Sequence, residues 1–420
     1  MTRQSYLVLG LAGVLLGGCA APAGRSLPPQ GEHWVATWGA AQLVPEGDNV
    51  LAPASWRDAS LRQVVRASLG GSRLRVRVSN VFGTAPLVVD GASIGLAGRG
   101  GRASGLQALR FGGSAQVTIP AGAEYLSDPV ELAHGAGADL AVSLHFPEAP
   151  ARQTGHPGAR ATSFLVQGRR VMDEAWDGAQ TFTRWYQLAG IEVLAPGAAH
   201  AVVAIGDSIT DGYGVTPDSY GRWTDHLATR LRAAGVNDIG VVNAGIGGGR
   251  LLQDGLGPNL AARFERDVLA RPGVSHAIVM IGVNDLGVQH RNGQDSPAAR
   301  ARLLDEMREG LRQLVARAHT AGVCVIGGTI SPYGGSGYYK PGPDNEADRQ
   351  SINRWIRDAG VFDGLADFDA VLRDPAQPDR LLKAYDNDGL HPSAAGYKAM
   401  ADAVPLDGLK HCRHAPAGHR

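Results

Sequence analysis

The chain has 420 residues, and its 40 Lys+Arg balance 40 Asp+Glu, so the formal net charge at pH 7 is zero. A balanced charge supplies no field to recruit nucleic acid or an anionic surface, and both partner classes are set aside. The length suffices for two or three cores, and the 58 glycines imply many tight turns.

At the N-terminus, Arg3 provides a positive start and Tyr6 to Leu16 an apolar run. That run is too short for a permanent membrane-spanning helix and reads as a signal peptide. Its end, Leu16-Gly17-Gly18-Cys19, resembles the lipobox of bacterial lipoproteins. The resemblance implies cleavage before Cys19 and a lipid on its thiol, the only membrane attachment expected. The alternative is an ordinary secretory signal with an incidental cysteine. Either way the protein is expected to be exported: lipid-anchored in the cell envelope, otherwise periplasmic or secreted. Residues 20–33 are small, Pro-rich and polar, as suits a tether.

From residue 34 to 195 apolar residues alternate with polar ones, broken by Gly, Pro, Asn and Asp. Arg73 to Val78 alternates arginine with Leu74, Val76 and Val78, a half-buried strand with a charged face. Asp139 to Phe146 and Ala115 to Pro120 are further strands. Many short strands predict a jelly-roll-like β-sandwich. Trp34, Trp38, Trp56, Trp176, Trp185 and Tyr186 are expected to pack its core and the seam with the next domain; a sugar-stacking face is the other reading.

From 196 to 412 the periodicity changes. Strand-like Ala201 to Ile205 precedes a helix with Trp223, Leu227 and Leu231 on one side, then strands at Ile239 to Val242 and Ile278 to Ile281. A long helix with Leu303, Met307, Leu311, Leu314 and Val315 leads to a strand at Val323 to Ile330. Gly235 and Gly322 stand where helix stops are expected. Such alternation predicts a parallel sheet covered by helices on both faces, an α/β domain. Residues 413–420 form a tail. Export makes a bond between Cys324 and Cys412 chemically possible. Cys324, however, sits in the apolar run Val323-Cys324-Val325-Ile326, which predicts a buried, inert thiol. No Cys or His cluster has zinc spacing, so no structural metal is expected.

Four short blocks carry chemistry. Gly206-Asp207-Ser208 follows a strand, and Thr210 stands where a Gly-x-Ser-x-Gly elbow would have its second glycine. Val241 to Gly249 is a strand opening into glycines whose N–H groups can face an anion; Arg250 breaks the dinucleotide fingerprint, and no Walker Lys-Ser/Thr follows. Gly282-Val283-Asn284-Asp285 offers a side-chain amide at another strand end. Asp386-Asn387-Asp388-Gly389-Leu390-His391 sets a carboxylate within reach of an imidazole.

Together, in this order, the blocks resemble the SGNH (GDSL) hydrolase superfamily over roughly residues 198 to 405. The resemblance implies a flavodoxin-like three-layer α/β/α domain. It also implies Ser208 as nucleophile, His391 as base and Asp388 as its orienting acid, with Asp386 nearby as the rival acid. Ser208 N–H, Gly248 N–H and the Asn284 side chain would form the oxyanion hole. Further stretches, Ile246 to Gly255, Arg263 to Leu269 and Ala395 to Met400, look like a bacterial subgroup described as xylan-associated aryl- or acetylesterases. Gly249 departs from it, standing where Asn is expected. The implied function is an exported serine esterase working through an acyl-enzyme, with acetyl groups on a polysaccharide as first substrate choice. The hydrolysis implied by the resemblance requires neither metal nor cofactor. Lipase, arylesterase or thioesterase action, acyl transfer, and a glycan-binding lipoprotein with an inert hydrolase domain are the alternatives.

Overall fold

The computed structural model describes residues 31–414. The signal-like segment, Cys19 and nearly all of the tether lie outside the described residues, as do residues 415–420. No helix among the described residues is long and apolar enough to cross a membrane.

In the second half, near-continuous apolar runs form parallel strands, buried on both faces except at the edge strand Gly364–Ala366. They are His200–Gly206, Ile239–Gly245, Val274–Met280, Cys324–Gly328 and Gly364–Ala366. All pair in parallel, and the order across the sheet is second, first, third, fourth, fifth. The chain reverses its winding beside His200–Gly206, and such a switch point opens a crevice at the carboxyl edge. Helix Trp223–Ala233 buries Trp223, Leu227 and Leu231, and helix Pro297–Thr320 buries Met307, Leu311, Leu314 and Val315, the spacings read from sequence. Gly235 and Gly322 follow these helices with φ of 75° and 77°, the left-handed turn that glycine accepts without strain.

Among the described residues the first half has two large antiparallel sheets and two small two-stranded ones. One large sheet runs Glu32–Gly39, Leu188–Pro196, Gly71–Ser79, Glu124–Leu126, with Val130–His134 also on Gly71–Ser79. The six-stranded sheet has Ala59–Arg66 and Asp139–Phe146 at its centre. Leu74, Val76 and Val78 of the first sheet share a core with Leu61, Val65, Leu140, Val142 and Leu144 of the second. On the charged face of Gly71–Ser79, buried Glu192 of the next strand pairs with Arg75 and Arg77, each at 2.5 Å, and Glu131 pairs with Arg73 at 2.8 Å. Trp38, Trp56, Trp176, Trp185 and Tyr186 are buried and Trp34 half-buried, so these rings pack rather than present a stacking face.

The halves are closely joined. Residues 197–199 alone separate Leu188–Pro196 from His200–Gly206. Val35, Ala36, Val193 and Ala195 belong to the same core as Val202, Val242 and Ala244 of the parallel sheet. Buried Arg271 crosses the seam to donate to the Ala189 carbonyl at 2.9 Å.

One expectation is corrected. Cys324 is not a free thiol but is bonded to Cys412, 88 residues away. The apolar run buries Cys324 as expected, but the C-terminal segment folds back across the strand's start and delivers its partner. Closing a loop of that size constrains the unfolded chain by about 4–5 kcal/mol in the chain-entropy picture.

Candidate active site

Strand His200–Gly206 ends against the tightest packing in the sheet. A Cβ on Gly206 would lie 2.4 Å from the Met280 carbonyl, and one on Gly245 would lie 2.3 Å from Asp211 N. The short helix Ser208–Asp211 therefore rests directly on the neighbouring strand end, which only glycine permits. Asp207 caps this helix by accepting the Ile209 N–H at 2.9 Å. Beneath it, fully buried Arg263 donates to the Gly206 carbonyl at 2.8 Å and the Ala244 carbonyl at 2.7 Å, with Asp267 as counter-charge at 3.0 Å. That guanidinium ties the two strand ends together, which gives a physical role to the Arg263 to Leu269 stretch.

Ser208 Oγ lies 2.8 Å from His391 Nε2, and His391 Nδ1 lies 2.8 Å from Asp388 Oδ2. The other Asp388 oxygen accepts the His391 N–H at 2.8 Å and the Leu390 N–H at 3.1 Å. Asp386 instead accepts the Gly389 N–H at 2.6 Å and shapes the turn. Of the two carboxylates, Asp388 alone meets the imidazole. Burial lowers the His391 pKa below its ordinary value and outweighs the raising effect of Asp388, while the Arg160 charge adds to the lowering. Burial would raise Asp388, yet the His391 N–H and imidazole hold it below the usual carboxylate value. A neutral imidazole held by an ionised carboxylate, its Nε2 on a serine hydroxyl, can take that hydroxyl's proton near neutral pH.

The glycine loop and the Asn284 block meet beside this relay. Gly248 has φ 67°. Asn284 donates through Nδ2 to the Gly249 carbonyl at 2.8 Å, and its Oδ1 accepts the Tyr339 hydroxyl at 2.6 Å. Burial pushes the Tyr339 hydroxyl far up, so it remains a donor and fixes which way the amide faces. One Nδ2 hydrogen stays uncommitted. Ser208, as first residue of its helix, has an N–H with no intrahelical acceptor. Asp285 accepts the Leu251 N–H at 2.9 Å and the Leu252 N–H at 3.3 Å, anchoring the far end of the glycine loop. A Cβ on Gly249 would sit 2.9 Å from the Ile246 carbonyl, so the loop's course here favours glycine over asparagine. Asp207 is wholly buried with Oδ2 unpartnered, and burial pushes its pKa up to about 7.

Several supports lie where no motif points. Tyr213 stacks on His391 with ring centroids 4.1 Å apart and is held by Tyr397, whose hydroxyl donates to the Tyr213 carbonyl at 2.7 Å. From the antiparallel half, buried His156 reaches Asp211 of the serine helix at 2.9 Å through Nε2 and the Ala41 carbonyl at 2.8 Å through Nδ1. Arg222 joins the Asp211 carbonyl to those of Gly158 and Ala159. For metals, His319, Asp363 and His414 bring ligand-type atoms within 4.8 Å of one another near the disulfide. These come from distant segments, so no spacing could reveal them, and Arg413 already pairs with that carboxylate at 2.8 Å.

Residues 204–399 match the GDSL-like Lipase/Acylhydrolase family, a span containing Ser208, Gly248, Asn284, Asp388 and His391. No curated protein matches the chain in sequence. Among solved structures, it is similar to an acetylxylan esterase from Geobacillus stearothermophilus at 23% identity, covering 52% of this chain and 97% of that one, with TM-score 0.37. It is also similar to a GDSL-like lipase from Bacteroides thetaiotaomicron at 18% identity, covering 50% of this chain and 87% of that one, with TM-score 0.37. By the family match, residues 204–399 form a GDSL-like lipase/acylhydrolase domain, and that match supports a hydrolase of carboxylic esters.

Proposed function

We propose that the protein is an exported serine esterase that removes short acyl groups, acetyl first among them, from a polysaccharide. The observation that carries the mechanism is the unbroken relay from Ser208 through His391 to Asp388, each link 2.8 Å. Ser208 Oγ attacks the acyl carbon while its proton passes to His391 Nε2. The negative oxygen is met by Ser208 N–H, Gly248 N–H and the uncommitted Asn284 hydrogen. Collapse expels the alcohol, which takes the proton from His391. Water, deprotonated by the same nitrogen, then attacks the acyl-enzyme, and the carboxylic acid leaves. Asp388 holds the imidazole in the tautomer both steps need.

Two features support the substrate and its compartment. Few large apolar side chains are exposed among the described residues, and three border the site: Tyr213 on His391, Tyr338 packed edge-on against the Tyr339 that holds Asn284, and Leu256 beside Gly248. Half-exposed rings suit the apolar faces of sugars better than a long acyl chain. The bond between Cys324 and Cys412 suits an oxidising compartment, in keeping with export and a lipid on Cys19.

The test is acetate release from acetylated xylan, run beside p-nitrophenyl acetate, butyrate and laurate, for the wild type and Ser208→Ala. Release from the polymer that vanishes in the variant is expected. Preference for laurate would replace the polysaccharide with lipidic esters. Equal rates for wild type and variant would remove Ser208 from the mechanism.

A further inference from the structure

Segment 154–162 of the antiparallel half is stitched to the serine side of the site. Besides the His156 and Arg222 bonds, the Asp218 N–H donates to the Arg160 carbonyl at 2.9 Å, and the Asp218 carboxylate accepts Thr162 N–H and Oγ1, each at 2.6 Å. Among the described residues six non-glycine residues have positive φ, and three of them, Arg160 at 48°, Asp218 at 63° and Tyr220 at 52°, lie on this seam. Such backbone is costly for a side-chain-bearing residue and persists where its surroundings demand it.

What that backbone delivers is a guanidinium. Arg160 donates through Nε to the Gly212 carbonyl at 3.2 Å, at the end of the serine helix, and stands 5.6 Å over the Tyr213 ring. Among the described residues no carboxylate pairs with it, and its two terminal nitrogens have no acceptor. Arg263 and Arg349, by contrast, are paired with Asp267 and Asp369. Arg160 is half-buried and reaches the site on the His391 side, through Tyr213, whereas Gly248 and Asn284 lie on the side of the developing oxyanion. Because His391 protonates the departing alcohol, whatever flanks His391 faces the alcohol half of the ester.

We infer that Arg160 is a specificity-determining residue that binds a carboxylate carried by the alcohol half, so that the preferred substrate is an acylated acidic sugar such as a uronate unit. This rests on the esterase reading of the same site. The planar, unpaired fork matches a carboxylate in bidentate geometry.

The test compares kcat/KM for an acetylated uronate-containing oligosaccharide with that for its neutral, carboxyl-reduced counterpart. Wild type, Arg160→Lys and Arg160→Asn are measured, the last because Asn tolerates positive φ. Wild type should prefer the acidic substrate at least ~10-fold, the range expected for a charge-assisted hydrogen bond. Arg160→Asn should lose most of that preference, and Arg160→Lys should keep part of it. Equal rates on both substrates in wild type would overturn the inference. So would a loss in Arg160→Asn that is the same on both with a lowered melting temperature, which would make Arg160 a staple only. Hydrolysis of p-nitrophenyl acetate by the wild type separates the two readings: its absence would sink the esterase mechanism, whereas its presence with no acidic preference would sink only this inference.

Discussion

The parallel-sheet half and the antiparallel half build one site in different ways. In the former, Ser208, Gly248 and Asn284 each follow the carboxyl end of a parallel strand, and His391 sits in a turn tied by its own neighbours. Each group is placed by the few residues around it, so each is announced by a short block. The antiparallel half acts through one loop, whose His156, Gly158, Ala159 and Arg160 meet residues 52 to 64 positions away. Nothing local betrays such contacts. Chemistry is set by strand ends, and its support by a neighbour that the chain order separates.

The sharpest way to test the first half of that comparison is the pair of carboxylates. Asp388→Asn should lower kcat about 10⁴-fold, because an amide holds the imidazole in the wrong tautomer. Asp386→Asn should change kcat only a few-fold, since that side chain caps a turn. Steady-state kinetics on p-nitrophenyl acetate reads both, and the reverse ranking would give the orienting role to Asp386.

The second half is tested by His156→Ala. One ring nitrogen faces the Asp211 carboxylate and the other the Ala41 carbonyl, and both residues are nearly inaccessible. Removing one partner of a buried pair typically costs about 3–5 kcal/mol. Urea denaturation should show a loss of that order, and His156→Gln with Asp211→Asn should recover most of it. A loss below ~1 kcal/mol would mean that the seam does not depend on this pair.

How much could be read in advance follows the same division. The spacing of Trp223, Leu227 and Leu231 and the run before Gly206 made the parallel sheet legible, because helix and strand periods are local. Ser208, Asn284, Asp388 and His391 were legible as blocks, and the structure brings them together. Arg263 and Asp285 stood in sequence without a reason. Their roles, a clamp under two strands and an anchor for the glycine loop, exist only once those segments meet. Tyr339, 55 residues from Asn284, gave no signal at all. The partner of Cys324 was misjudged for the same reason: a buried apolar run describes the strand, not what folds across its end.

A smaller effect than the orienting acid is expected from the amide. Asn284→Ala should lower kcat by about 10²–10³, the scale for one oxyanion donor, with KM little changed. Tyr339→Phe removes only the bond that orients that amide and should cost up to ~10-fold in kcat. An equal loss in both would mean that the hydroxyl, not the amide, meets the oxyanion.

The subtlest effect concerns Asp207, where the cost of burying a charge falls directly beside Ser208. Its carboxyl is pushed up to about 7 in the folded protein by burial, against an ordinary 3.8. Below the ordinary value both folded and unfolded chains hold the proton, and no penalty exists. As pH rises, the unfolded chain ionises freely while the folded one does not, so stability falls until about pH 7 and then stays low. Asp207→Asn cannot ionise and keeps an oxygen for the Ile209 N–H. Its melting temperature relative to the wild type should therefore climb between about pH 4 and 7 and level off above. The rise is the diagnostic part, since an unpartnered amide hydrogen would only offset the whole curve. A flat difference across that window would mean that Asp207 is charged when folded, held so by donors that its unpaired Oδ2 does not have here.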